Sequence, residues 1–117
     1  MAVSFETKKV GDVSVLSPHG KIVIGEEVTA LREKIKEIVQ EGNKNILLNM
    51  ANVSYIDSTG VGALVGSFTT IRNQGGQMKL TNLSDRVRDI LLVTKLLTVF
   101  DVYDNEADGT KSFAATK

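Results

Sequence analysis

The chain has no cysteine, one histidine and one proline. Without cysteine there are no disulfides, no thiolate catalysis and no zinc–thiolate site, which fits a reducing compartment. One histidine and no clustered carboxylates leave nothing from which to assemble a metal centre. No charge of one sign dominates, since Lys+Arg and Asp+Glu stand at 14 each. Such a balance gives no electrostatic reason to expect DNA, RNA or an anionic membrane as partner. No apolar run approaches the ~20 residues of a membrane helix. Met1-Ala2-Val3-Ser4-Phe5-Glu6 has neither a basic flank nor an apolar core, so no signal peptide is expected. The expectation is a cytoplasmic protein with no nucleic-acid or membrane partner, no metal and no cofactor.

What is there suits a small globular chain. At 117 residues it has room for one domain, 1–117, and is too short for two ordinary ones. Apolar residues make up 42% and charged residues 24%, which argues against compositional disorder.

Val3 to Lys8 reads as a first strand, and Gly11-Asp12 as the turn to a second that begins at Val13. Pro18 is expected to close or edge that second strand, because it cannot donate to a ladder. Gly20 is expected to bend the chain. Val28, Leu31, Ile35, Ile38 and Val39 share one helical face, with Glu26 and Glu27 in the first turn and Gly42 past the end. Asn45 to Met50 is a short strand with a continuous apolar centre. A second helix carries Val61, Leu64, Val65, Phe68 and Ile71 and stops at Gly75-Gly76. Met78 and Leu80 alternate with Lys79 in a further strand. Ser84 caps a third helix with Val87, Ile90 and Leu91 inside. Val99, Phe100 and Val102 suggest a last strand. Asp104 or Asn105 is expected to cap a final helix reaching about Ala115, weakened by Gly109. The order β-β-α-β-α-β-α-β-α predicts an α/β fold: a small, mixed, mostly parallel sheet, an antiparallel hairpin edge and about four packed helices.

Chemistry concentrates in Asp57-Ser58-Thr59-Gly60, where an apolar strand hands over to a helix. Three rivals are weak there. A serine hydrolase would take Ser58 as nucleophile, His19 as base and Asp57 as orienting acid. The nucleophile elbow is Gly-x-Ser-x-Gly, however, and Ile56 stands in place of its first glycine. Gly60, Gly62 and Gly66 have the wrong spacing for a dinucleotide fingerprint, with Val65 where the third glycine belongs. Gly62 and Gly66 are four apart on a helix, and the simpler reading of that pair is close approach of the helix to the sheet. Asp85 and Asp89, interleaved with Arg86 and Arg88, read as a solvated face. Asp57, Ser58 and Thr59 are all good helix-capping types, so a purely structural cap stays open. The other reading is a switch. A phosphate on Ser58 would add a charge of about −1.5 to −2 that a helix N-terminus tolerates and a docked partner would not.

Tyr55-Ile56-Asp57-Ser58-Thr59-Gly60-Val61-Gly62 closely resembles the phosphorylation motif of the bacterial anti-sigma factor antagonists, the STAS-domain proteins. The Gly20 turn and Leu80-Thr81-Asn82-Leu83-Ser84, with Val87, Ile90 and Leu91, extend the likeness over almost the whole chain. The resemblance implies a single STAS domain that is not an enzyme. It implies that the unphosphorylated form binds an anti-sigma factor that doubles as a serine kinase, with ATP held by that partner. This frees a sigma factor; phosphorylation of Ser58 releases the partner, and a PP2C-type phosphatase restores the antagonist. Asp57 and Thr59 flank the acceptor, and Gly60 is expected to keep the loop open. Two departures from the family pattern stand out. Gly20-Lys21-Ile22-Val23-Ile24 replaces a run such as Gly-Glu-Leu-Asp near the partner-binding face, so Ile22, Val23 and Ile24 are expected as an exposed contact patch. Thr94-Lys95-Leu96 replaces Thr-Gly-Leu, so either Lys95 takes the left-handed conformation at a cost of roughly 1 kcal/mol or the helix ends differently. A STAS module acting as ligand sensor or scaffold in another complex is the alternative. A monomer and a weak dimer both fit.

Overall fold

The Gly11-Asp12 turn folds β1 (Ser4–Val10) back on β2 (Val13–Ile22) as an antiparallel pair, with Val10 opposite Val13 and Ser4 opposite His19. A computed structural model describes residues 3–114. Pro18 does not end β2, which runs on to Ile22. The reason lies on the strand's other side. There β3 (Asn45–Asn49) pairs in parallel with Ser14–Leu16, and β4 (Val53–Ile56) pairs in parallel with Gly20–Ile22. Pro18 falls between the two ladders, so its missing N–H interrupts neither parallel pairing.

β4 is the strand that the sequence reading lacks. The strand containing Ile46-Leu47-Leu48 does not hand over to the helix directly. After Asn49 the chain turns, with Met50 N–H donating to the Thr81 carbonyl and Val53 N–H to the Met50 carbonyl. It then resumes as β4 beside the second half of β2. Only four residues long, with Val53 and Ile56 both buried, β4 shows neither alternation nor an apolar run.

Parallel pairing of β3 with β5 (Gln77–Thr81), and of β5 with β6 (Val102–Tyr103), completes the order β1-β2-β3-β5-β6, with β4 attached to β2. Across the register, Leu16, Leu48 and Leu80 share one face and Val15, Leu47 and Lys79 the other. The first face is buried under α1 (Glu26–Gln40), α2 (Ser58–Asn73) and α3 (Asp85–Val93), through Leu31 and Ile35, Leu64 and Ile71, and Val87 and Leu91. The second meets α4 (Glu106–Ala114), where Phe113 joins Val13, Val15 and Leu47. The expected caps form. Ser84 Oγ accepts from Val87 N–H, and Asn105 Oδ1 accepts from Asp108 N–H at 2.8 Å. The expected end of the last helix, Ala115, lies outside the described residues.

Three details differ from expectation. Leu97–Val99 is a 3₁₀ turn and Phe100 fills the core against Phe68, so the last strand is confined to Val102–Tyr103. Gly109 lies on the inner face of α4, where an added Cβ would stand 2.9 Å from the Leu47 methyls; it lets that helix settle on the sheet. Lys79 alternates with Met78 and Leu80 as expected, yet it is only 2% exposed. Its Nζ donates to the carbonyl and hydroxyl of Ser112 and lies 4.7 Å from the Phe113 ring centre. The carbonyl end of a helix and an aromatic face substitute for water around the cation.

Candidate functional site: the Asp57–Gly60 turn

β4 delivers the chain to the end of β2, and α2 starts at once. Asp57 is the N-cap, in extended conformation, and Ser58 is the first helical residue. The Asp57 carboxylate works in two directions. Oδ1 accepts from Gly60 N–H at 2.8 Å, the ordinary capping bond. Oδ2 accepts from Ile24 N–H at 2.9 Å, in the loop between β2 and α1. The Asp57 N–H donates to the Ile22 carbonyl at 3.3 Å. Two loops that are 33 residues apart in sequence are thus tied by one side chain. The Asp57–Gly60 bond is legible from local spacing, whereas the bond to Ile24 has no sequence signal at all.

Gly60 does not keep the loop open. It is buried, and a Cβ there would overlap the Ile22 carbonyl oxygen and stand 2.6 Å from Ile56 Cγ1. The glycine lets the first turn of α2 press against the ends of β2 and β4. Close approach is therefore the property of Gly60, and not of the pair to which the sequence reading assigned it. An added Cβ at Gly62 would meet open space, and one at Gly66 would meet only the Arg32 guanidinium at 3.8 Å.

Ser58 is exposed and Thr59 half-buried. Among the described residues no hydrogen bond engages the Ser58 hydroxyl, nor the N–H of Ser58 or Thr59. These donors are the unpaired ones of a helix start, and with the helix dipole they favour an anion at Ser58 Oγ. Tyr55, on β4, lies under the Arg86 guanidinium at 5.9 Å, a contact from α3 that the solvated-face reading missed.

The apolar run of the neighbouring loop is divided. Ile22 is the last residue of β2 and fully buried, so it belongs to the core and not to an exposed patch. Val23 is half-buried, while Ile24 is 71% exposed. The hydrolase arrangement does not form. Both Asp57 oxygens are held by backbone N–H groups, and His19 Nε2 lies 3.4 Å from Glu6 Oε1 across the β1–β2 pair.

The STAS domain family model matches residues 4–109. The chain belongs to the STAS domain family. This STAS domain is 36% identical over 81 residues to the anti-sigma-B factor antagonist of Bacillus subtilis (strain 168), an alignment that covers 69% of this chain and 73% of that protein. A Thermotoga maritima crystal structure, provisionally an anti-sigma factor antagonist, superposes with a TM-score of 0.86 at 27% identity over 92% of both chains. The phosphorylated form of the Bacillus cell fate determinant SpoIIAA superposes with a TM-score of 0.71 at 22% identity, covering 95% of this chain and 99% of that one. These likenesses bear out the α/β fold with its mixed sheet. Among the described residues no helix is long and apolar enough to cross a membrane.

Proposed function

We propose that this STAS domain is an anti-sigma factor antagonist switched by phosphorylation of Ser58. One observation carries the reading: an exposed serine with a free hydroxyl stands first in α2, beside unpaired backbone N–H groups and next to the capping Asp57. The partner is an anti-sigma factor that is also a serine kinase and holds the ATP. Its binding to the unmodified surface around Asp57, Ser58, Thr59, Gly60 and Ile24 frees a sigma factor. Transfer of the γ-phosphoryl group to Ser58 Oγ breaks the bond to ADP and passes the hydroxyl proton to a base of the kinase. The added charge of about −1.5 to −2 then sits beside the Asp57 carboxylate, where the helix accepts it and an abutting protein surface does not. A PP2C-type phosphatase reverses the step. The domain acts in the cytoplasm on a protein partner, without nucleic acid, membrane or cofactor, and is acted upon rather than catalytic. SpoIIAA carrying phosphate on the same fold supports this reading. The rival ligand-sensor reading rested on three exposed apolar residues, and with Ile22 in the core it retains chiefly Ile24.

The test is phosphate mapping. Incubation with the cognate anti-sigma factor kinase and ATP is expected to place one phosphate on Ser58, and Ser58→Ala to abolish it. Phosphate found elsewhere, or nowhere with a kinase that binds the protein, removes the switch.

A further inference from the structure

The bond from Ile24 N–H to Asp57 Oδ2 does nothing for the helix cap, which Oδ1 already completes. It fixes instead the position of Ile24, a residue with 71% of its surface in water. An isoleucine so exposed contributes little to the core by burial. The loop that carries it is nonetheless restrained from three sides. Ile22 is locked in the core, Gly60 abuts the Ile22 carbonyl, and Asp57 takes the Ile24 amide. The restraint and the exposure together describe a pre-organised apolar contact, held by the residue next to Ser58 in sequence.

We propose that Asp57 is a positioning residue that presents Ile24 as an apolar anchor beside Ser58. The partner it fits is the kinase inferred above, with an apolar pocket next to its phosphoryl-transfer centre. This inference rests on the phospho-switch reading and names what that reading leaves open: how the partner docks before it phosphorylates. An apolar residue whose backbone is fixed beforehand loses less entropy on binding, and an exposed side chain gains from desolvation. One carboxylate thus couples the place that is modified to the place that is gripped.

The discriminating variant is Asp57→Asn. Asparagine caps a helix about as well as aspartate, but its one carbonyl oxygen cannot serve both N–H groups in the present geometry. With the cap kept on Gly60, the amide NH₂ faces Ile24 N–H, donor against donor. Hydrogen exchange of the Ile24 amide, followed by NMR on the full chain, is expected to speed up roughly tenfold while the α2 core amides stay protected. Unchanged exchange at Ile24 overturns the tether whether or not any partner binds. The second arm is calorimetry with the kinase. Ile24→Ala is expected to weaken binding roughly tenfold, Ile24→Lys more, and Ile24→Leu to restore most of it. If the parent chain binds and is phosphorylated on Ser58 while Ile24→Lys binds within about twofold of it, the anchor is wrong and the switch stands. If the parent chain neither binds nor accepts phosphate, switch and anchor fall together, whatever the exchange experiment shows.

Discussion

A methyl group added at Gly60 would overlap the carbonyl oxygen of Ile22, which is backbone and cannot swing away. At Gly62, two residues on, the same methyl would meet nothing within 4 Å. Gly60→Ala is therefore expected to lower the unfolding free energy by about 2–3 kcal/mol. Gly62→Ala is expected to raise it by about 1 kcal/mol, since alanine is the better helix former. Urea midpoints of the two variants check the contrast, and equal shifts would contradict the packing described here. A second residue, Glu106, responds to acid. Lys8 Nζ lies 2.6 Å from its Oε2, and Asn49 Nδ2 donates to Oε1 at 3.0 Å. The Lys8 bond is the main cause that lowers the Glu106 pKa, burial works against it, and Asn49 assists. Because the folded pKa lies below the unfolded value of about 4.3, ionised Glu106 contributes stability above that value and loses it as pH falls through the folded one. The stability gap between the parent and Glu106→Gln should thus narrow on acidification from about pH 5 to about pH 3. A gap independent of pH would show that the charge on Glu106 adds nothing.

At the scale of the element, α1, α2 and α3 stop in the same way. Gly42 N–H returns to Val39 and Asn43 N–H to Ile38; Gly75 N–H returns to Arg72 and Gly76 N–H to Ile71; Lys95 N–H returns to Leu92 and Leu96 N–H to Leu91. Each is the paired closure that requires a left-handed residue. Gly42 and Gly75 supply it at φ 93° and 84°, whereas Lys95 adopts φ 63° with a full side chain. The departure from glycine at position 95, visible in the sequence, is therefore a local strain that the fold retains. Lys95→Gly is expected to raise the urea midpoint by the equivalent of about 0.5–1 kcal/mol with an unchanged m-value. The helices were legible because each carries its stripe over many residues. β4 was not, because its four residues are too few to show a period and its pairing with β2 is decided by contacts more than 30 residues away. Lys79 hid for a related reason: the alternation was plain, but no local signal tells that α4 returns to cover the face that carries it.

For the whole molecule, what matters is that the residue proposed for modification and the core are separate. Ser58, Asp57 and Ile24 belong to the loop end where β2 and β4 finish, whereas the cohesive residues lie in the sheet and the buried helix faces below it. Ser58 was legible because strand, polar triplet and glycine are contiguous in the chain. The grip around it was not, since it joins residues 24 and 57. This division predicts that charge at Ser58 alters binding without altering folding. Ser58→Asp places a carboxylate at the first position of α2, where the helix dipole favours it by about 0.3–1 kcal/mol and the Asp57 carboxylate opposes it. The two effects nearly cancel, so the unfolding free energy should stay within about 1 kcal/mol of the parent. Affinity for the anti-sigma factor kinase should fall at least about tenfold, because the same charge meets a desolvating surface there. Thermal unfolding and calorimetry on one preparation decide it. A variant that loses stability and affinity together would mean that Ser58 is a structural cap, and that its effect on binding is a by-product of a damaged fold.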